Sequence, residues 1–372
     1  MRGAPFVAAL LLIGLGAGAV LAQGEATVQW IEMDRPVYEK ELKKLGYRVS
    51  LTADEAQRFV AAARVRHEGT LAVGGGFLQV NHMEDKKYVQ DYNSEISGAG
   101  LKCTPVENAI QQGVSGSFEL SLAGDRIRAR LLTSHTFLFE PMERVEYVRG
   151  KNVDLPRVGT ARIDATVPLS AARPAGLLGG AIGVKYAALA VVLGSGFAEN
   201  AGTDAVGVVF QWYAASGVAE GPPRVLEEKE ASEVEAKSTL MGTAMLGATL
   251  GRQESLALSE QFSRVADYST QHAGGRAIST PVVDLPRTVG LDLKVTVVRE
   301  GEGFSVTTAG TLEVVAGTTP RQVDRFTIQD PRFATLPLAG SGSLASGKAI
   351  LFTAPDVDRG KRLIALVRLA PE

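Results

Sequence analysis

The feature that most constrains this chain of 372 residues is that it repeats itself. Val89-Gln90-Asp91-Tyr92 recurs as Val265-Ala266-Asp267-Tyr268, and Thr104-Pro105-Val106 recurs as Thr280-Pro281-Val282, both 176 positions later. Gly98 and Gly274 keep the same offset, which makes seven identities in a window of eighteen residues where average usage would give about one. Lys185, Val191 and Leu193 match Lys361, Val367 and Leu369 at 176 as well, and Pro156-Arg157 matches Pro331-Arg332 at 175. The only two tryptophans also correspond, as Gln29-Trp30 and Gln211-Trp212. Two copies are too few for a solenoid. They predict two tandem similar domains, 23–198 and a more divergent 199–372. The boundary falls near 199–224, where Glu199 to Asp204 is turn-like and Gly221-Pro222-Pro223 breaks any regular element.

Residues 1–22 have the form of a signal peptide: Arg2, an apolar stretch from Phe6 to Val20, and small residues at Val20 and Ala22 ahead of Gln23. An uncleaved anchor is the alternative, but the apolar run is short for a bilayer span of about 20 residues. The expected location is therefore outside the cytoplasm, in the periplasm, the outer membrane or at the cell surface. ATP-driven or nicotinamide-dependent chemistry is not expected there. The formal charge is −2, and −3 without Arg2, with no strongly basic half, which speaks against nucleic acid as a partner. A single cysteine excludes an intramolecular disulfide framework and a Cys-based zinc site.

Each unit opens with a strand and short helices. Thr27 to Glu32 reads as a strand, Asp34 caps a helix with Pro36 in its first turn, and Gly46 ends it. Thr52 and Glu55 form a capping box ahead of a helix from Ala53 to Arg64, with Phe59, Val60 and Ala63 on one face. In the second unit Val225 to Ala244 reads as the corresponding helical run. The remainder alternates apolar and polar residues: Phe118, Leu120 and Leu122, a turn at Gly124-Asp125, then Ile127, Ala129 and Leu131 predict a hairpin. Leu291 to Val297, the turn Glu300 to Gly303, and Phe304 to Thr308 repeat it, and Ala161 to Val167 alternates likewise. Tyr186 to Leu193 and Leu363 to Leu369 close the two units as apolar strands. The predicted class is α+β, dominated by antiparallel sheet, with one or two short helices at the start of each domain. Ala175 to Ala198 carries Lys185 as its only basic residue and is expected as two buried strands with Gly turns; lipid contact is the alternative.

No residue is assigned a catalytic, cofactor-binding or metal-ligating role. His67-Glu68 and His82 with Glu84 and Asp85 are the nearest acid–histidine groupings, and the latter reads as a solvated turn or strand rim. Gly113-Val114-Ser115-Gly116-Ser117 is not a nucleophile elbow, and Gly340-Ser341-Gly342 reads as a flexible turn. Arg126, Arg128 and Arg130 form a basic row on one strand face, read as solvated, with an acidic partner or lipid headgroup as the alternative. In each Asp-Tyr pair the tyrosine is expected under the following Thr-Pro-Val loop, with the aspartate bonding backbone. Cys103, with Ser279 at its place in the second copy, reads as a packed, inert thiol.

These pieces, in this order, resemble the C-terminal domain of bacterial secretins, the ring-forming proteins of type II and type III secretion systems and type IV pilus export. The resemblance rests on Val28-Gln29-Trp30-Ile31-Glu32-Met33-Asp34 with Leu45-Gly46, the helix from Ala53, the Gly-led hairpin Gly113 to Leu131, Val153-Asp154-Leu155-Pro156-Arg157 before Leu177-Leu178-Gly179-Gly180, and the closing strand Arg362 to Val367. Ala349-Ile350-Leu351-Phe352 stands where the Gly-Gly turn of the second copy belongs. The resemblance implies a duplicated secretin domain without the usual periplasmic domains before it. It implies a non-enzymatic envelope protein that self-assembles or binds protein partners, associates with the outer membrane, and serves a secretion or pilus channel. The other readings are a soluble periplasmic or surface binding module with duplicated domains and, third, a secreted hydrolase.

Overall fold

The computed structural model describes residues 24–371 apart from 75, 98–99, 124, 149, 274–275, 324–325 and 359. The export segment 1–22, the Gly98–Gly274 match and Gly124 of the first hairpin turn lie outside the described residues.

The first half comprises β1 (Glu25–Asp34), α1 (Arg35–Lys44), β2 (Ser50–Leu51), α2 (Ala53–Ala61), β3 (Arg64–Ala72), β4 (Phe77–Ser97), β5 (Gly100–Ala123), β6 (Arg126–Leu138), β7 (Glu143–Val148), β8 (Lys151–Leu155), β9 (Arg157–Val167), β10 (Ala175–Ile182) and β11 (Tyr186–Ser195). The second comprises β12 (Gly202–Thr203), β13 (Ala205–Ser216), β14 (Arg224–Leu226), α3 (Glu228–Ala236), β15 (Ser238–Thr249), β16 (Gln253–Phe262), β17 (Val265–Ala273), β18 (Arg276–Val283), β19 (Arg287–Glu300), β20 (Gly303–Val323), β21 (Phe326–Pro337), β22 (Gly340–Leu344), β23 (Ala349–Asp358) and β24 (Lys361–Leu369). The fold is α+β and mostly antiparallel β, with short helices only.

Two large sheets face each other. One runs β14-β23-β24-β13-β15-β10-β11-β1-β3, with β2 beside β10; the other runs β21-β20-β19-β16-β9-β6-β5-β4, with β12 on β6 and β22 on β20. Strand order recurs between the halves. β3-β1-β11-β10 followed by β2 is matched by β15-β13-β24-β23 followed by β14, and β4-β5-β6-β9 by β16-β19-β20-β21. Local detail recurs too: the ladder of β1 with β3 bulges after Trp30, and that of β13 with β15 bulges after Trp212. The halves meet at β10–β15 and β9–β16, so both sheets run continuously across residues 198 and 199.

Burial follows from this layering. β6 alternates between exposed Arg126 and Arg128, half-buried Arg130, and buried Ile127, Ala129 and Leu131, because one face of its sheet meets water. β10 is buried along its whole length, since helices cover the outer face of its sheet and the second sheet covers the inner face. Tyr38, Leu42 and Phe59 on the helices are buried on that outer face, where each large apolar side chain contributes roughly 1.5–3 kcal/mol. The capping box forms: Thr52 Oγ1 accepts from the Glu55 amide, and the Glu55 carboxylate accepts from the Thr52 amide at 3.0 Å. Thr52→Ala is expected to cost about 1 kcal/mol, read as a shift in the urea midpoint.

Several expectations are corrected. Val225 to Ala244 is not one helix; only Glu228–Ala236 is helical, and β15 follows. β15 is flanked by β13 and β10 and buried on both faces, so its unbroken apolar run carries no period that separates strand from helix. The helix after Thr52 ends at Ala61, and Arg64 opens a strand. Asp34 stands at the N-cap of α1 but its side chain makes no cap hydrogen bond. Gly340-Ser341-Gly342 is strand, paired with Thr308 to Val306. Both Thr-Pro-Val segments are strand as well, in β5 and β18, directly opposite the Asp-Tyr pairs. Ala175 to Ala198, by contrast, holds the two buried strands expected of it, β10 and β11, joined across Gly183.

Candidate functional site

A strand with one neighbour leaves a row of backbone donors and acceptors open to another chain. Among the described residues, β3 and β4 are the last strands of the two sheets at the first-half end, and β21, with β23 and β14, closes the second-half end. The internal joint defines what such edges accept. β9 pairs with β16 from Arg157–Phe262 to Asp164–Ser255, and Arg157 is ion-paired with buried Glu260 across the seam. β9 corresponds to β21, and β16 to β4. The glycines Gly113 and Gly290 mark the second correspondence: Gly113 stands opposite Met83 and Gly290 opposite Ser259, and a Cβ on either would overlap the carbonyl oxygen of the residue before its partner, His82 in β4 or Leu258 in β16. The open edges are thus the two sides of the joint, displayed at opposite ends.

The first-half end is tied by an aromatic and histidine stack. His67 on β3 lies 5.6 Å from Trp30 and 5.3 Å from His82 on β4, nearly parallel to the latter, so the stack links the two sheets. Burial and the neighbouring His82 hold the His67 pKa below its ordinary value. Deeper in, Glu32 is 5% exposed and His135 3% exposed; His135 Nε2 lies 3.2 Å from Glu32 Oε1, and Arg66 Nη2 lies 2.7 Å from Glu32 Oε2. Burial raises the Glu32 pKa, but hydrogen bonds from His135 and Arg66 outweigh it and leave the carboxyl below its usual range. At the joint, Glu254 accepts from Thr166 Oγ1 at 2.9 Å while its Oε2 is buried without a partner, and burial raises its pKa.

The remaining polar features resolve into structure. In the basic row Arg128 lies 3.3 Å from Asp204, Arg130 pairs with Asp164, and Arg126 is exposed. Asp91 accepts from the Tyr92 amide at 2.7 Å and Asp267 from the Tyr268 amide at 2.8 Å, each at a bulge, with Pro105 and Pro281 opposite the tyrosines. Cys103 is half-buried opposite Ser94, matching Ser279 opposite Thr270. His82 to Asp85 lie on the rim strand β4, as does Lys86, which reaches Glu140 at 3.2 Å. Among the described residues, no three His, Cys, Asp or Glu side chains are grouped to hold a metal, and no helix is long and apolar enough to cross a membrane. Sequence reasoning did not single out Glu32, His135 or Glu254, nor which strands form the sheet edges; only strand pairing shows these. The chain matches no family model, no curated protein and no solved structure.

Proposed function

We propose that this is an exported, non-enzymatic protein of the cell envelope that assembles with copies of itself through its sheet edges, in the manner the secretin resemblance implies, as part of a secretion or pilus channel. The observation that carries this reading is the head-to-tail joint inside the chain. A contact that does not map onto itself adds copies in one direction until a ring closes or a filament grows. Strand addition supplies the main-chain hydrogen bonds for it. By the register of the joint, β21 of one copy receives β4 of the next. Thr160 opposite Ser259 becomes Thr335 opposite Met83, and the Arg157–Glu260 pair becomes Arg332 with Glu84.

Met83→Cys and Thr335→Cys together, on a Cys103→Ser background, test this directly. Mild oxidation is expected to give a ladder of dimers, trimers and higher forms on a non-reducing gel, with neither single cysteine giving more than a dimer. A chain that stays monomeric by sedimentation at 100 μM and yields no ladder removes the reading.

A soluble periplasmic or surface module is favoured instead by the outer part of the β4–β5 hairpin, where Gln90, Asn93, Glu95, Lys102, Glu107 and Asn108 are exposed on long paired strands. Recovery of the protein entirely in the detergent-free periplasmic fraction supports that second reading and removes the channel version of the first.

A further inference from the structure

The two halves fill the space between their sheets differently. In the first half Phe137 lies over Gly159, 5.3 Å from the Phe139 ring and 6.1 Å from Tyr186, beside buried His135. Gly113 opposite Thr136 corresponds to Gly290 opposite Glu313, which places Leu312 at the position of His135 and Val314 at that of Phe137. Leu258 likewise stands where the first half has His82. The second half therefore lacks two buried rings, those of His135 and Phe137, at matching positions, and the exposed ring of His82 as well. Where the second half meets β9 and β10 of the first is a cavity of about 540 Å³; Trp212, Met241, Leu258, Leu291, Leu312 and Val314 form its apolar wall, and first-half residues complete the lining.

We infer that this cavity is a binding site for a small, uncharged, ring-bearing apolar ligand, one that takes the place of the phenyl group the first half supplies from its own chain. Its volume and apolar walls are those of a small-molecule site. The Trp212 indole lies against Gly242, where a Cβ would overlap it, so a flat aromatic wall is presented. Aromatic rings gain from edge or offset contact with such a wall beyond the area they bury. The rim selects against an anion. Arg157 is paired with Glu260, Arg264 with Asp284 and Asp330, and Arg35 donates to the carbonyls of Gly183 and Leu240, so these arginines are already answered within the chain.

The purified full chain is titrated with N-phenyl-1-naphthylamine, an uncharged ring probe, following its fluorescence and the quenching of tryptophan emission. Saturable binding at one site per chain is expected. Val314→Phe, which installs the first half's ring, is expected to weaken it at least tenfold while circular dichroism is unchanged. Should that variant misfold, Leu258→Phe provides the same block from the opposing strand, with the same expectation. Decanoate at equal concentration is expected to leave the probe bound. Absence of saturable binding, a folded blocking variant that binds like wild type, or stoichiometric displacement by decanoate overturns the assignment.

Discussion

Gly113→Ala and Gly290→Ala are each expected to destabilise the chain by about 3 kcal/mol, and by similar amounts. Both glycines hold positive φ, +134° and +144°, in a region that L-residues rarely adopt. In both, an added Cβ overlaps a carbonyl oxygen of the adjoining strand, that of His82 or of Leu258, and the backbone there is pinned by paired neighbours on either side. Strain and overlap therefore add, and relaxing one means breaking ladder hydrogen bonds. Urea unfolding of the two variants measures the effect. Equal, large losses are the expected result; a loss below about 1 kcal/mol at either site would contradict the pairing of β4 with β5 or of β16 with β19.

Glu32→Ala is expected to cost about 3 kcal/mol at pH 7, because it strands a buried His135 and removes the acceptor of Arg66. The loss depends on pH. The Glu32 carboxyl has a folded pKa below its ordinary 4.5, so the folded chain binds fewer protons there than the unfolded chain. Its contribution is present in full above pH 4.5 and disappears as pH falls through the folded value. His67, held below 6.5, acts in the same direction, lowering stability as pH falls below 6.5. Glu39 and Glu254 act oppositely, since burial raises their pKa values and their ionisation opposes folding as pH climbs past 4.5. The stability gap between wild type and Glu32→Ala, followed by urea midpoint from pH 7 to pH 3, should stay constant to about pH 5 and then narrow. A gap independent of pH would show that the carboxylate is not what holds these groups.

Much of the sheet was legible in the residues. The hairpins around Asp125 and Gly301 show because one face is wet and one dry, so polarity alternates with the pleat. β15 was not legible, because both its faces are covered. The Gly340 segment reads as a turn for a different reason. Its glycines lie opposite Thr308 and Val306 of β20, and small residues there mark a paired strand rather than a free turn. Of the candidate site, His67, His82 and Glu84 were visible as residues, but not as neighbours. His67 and His82 come from different sheets, and their stacking depends on where two edges end.

By itself the sequence determined that short segments recur at one offset, where the chain turns, and which faces of its strands are dry, since all of these are set by spacing within a few residues or by direct comparison of the halves. Only the tertiary structure decided that the halves share two sheets, which strands are left at the edges, and that a cavity opens at their joint beside second-half positions whose first-half counterparts carry rings. Those properties depend on hydrogen-bond register between strands more than a hundred residues apart in some ladders, such as β1 with β11, and local periodicity carries no record of it.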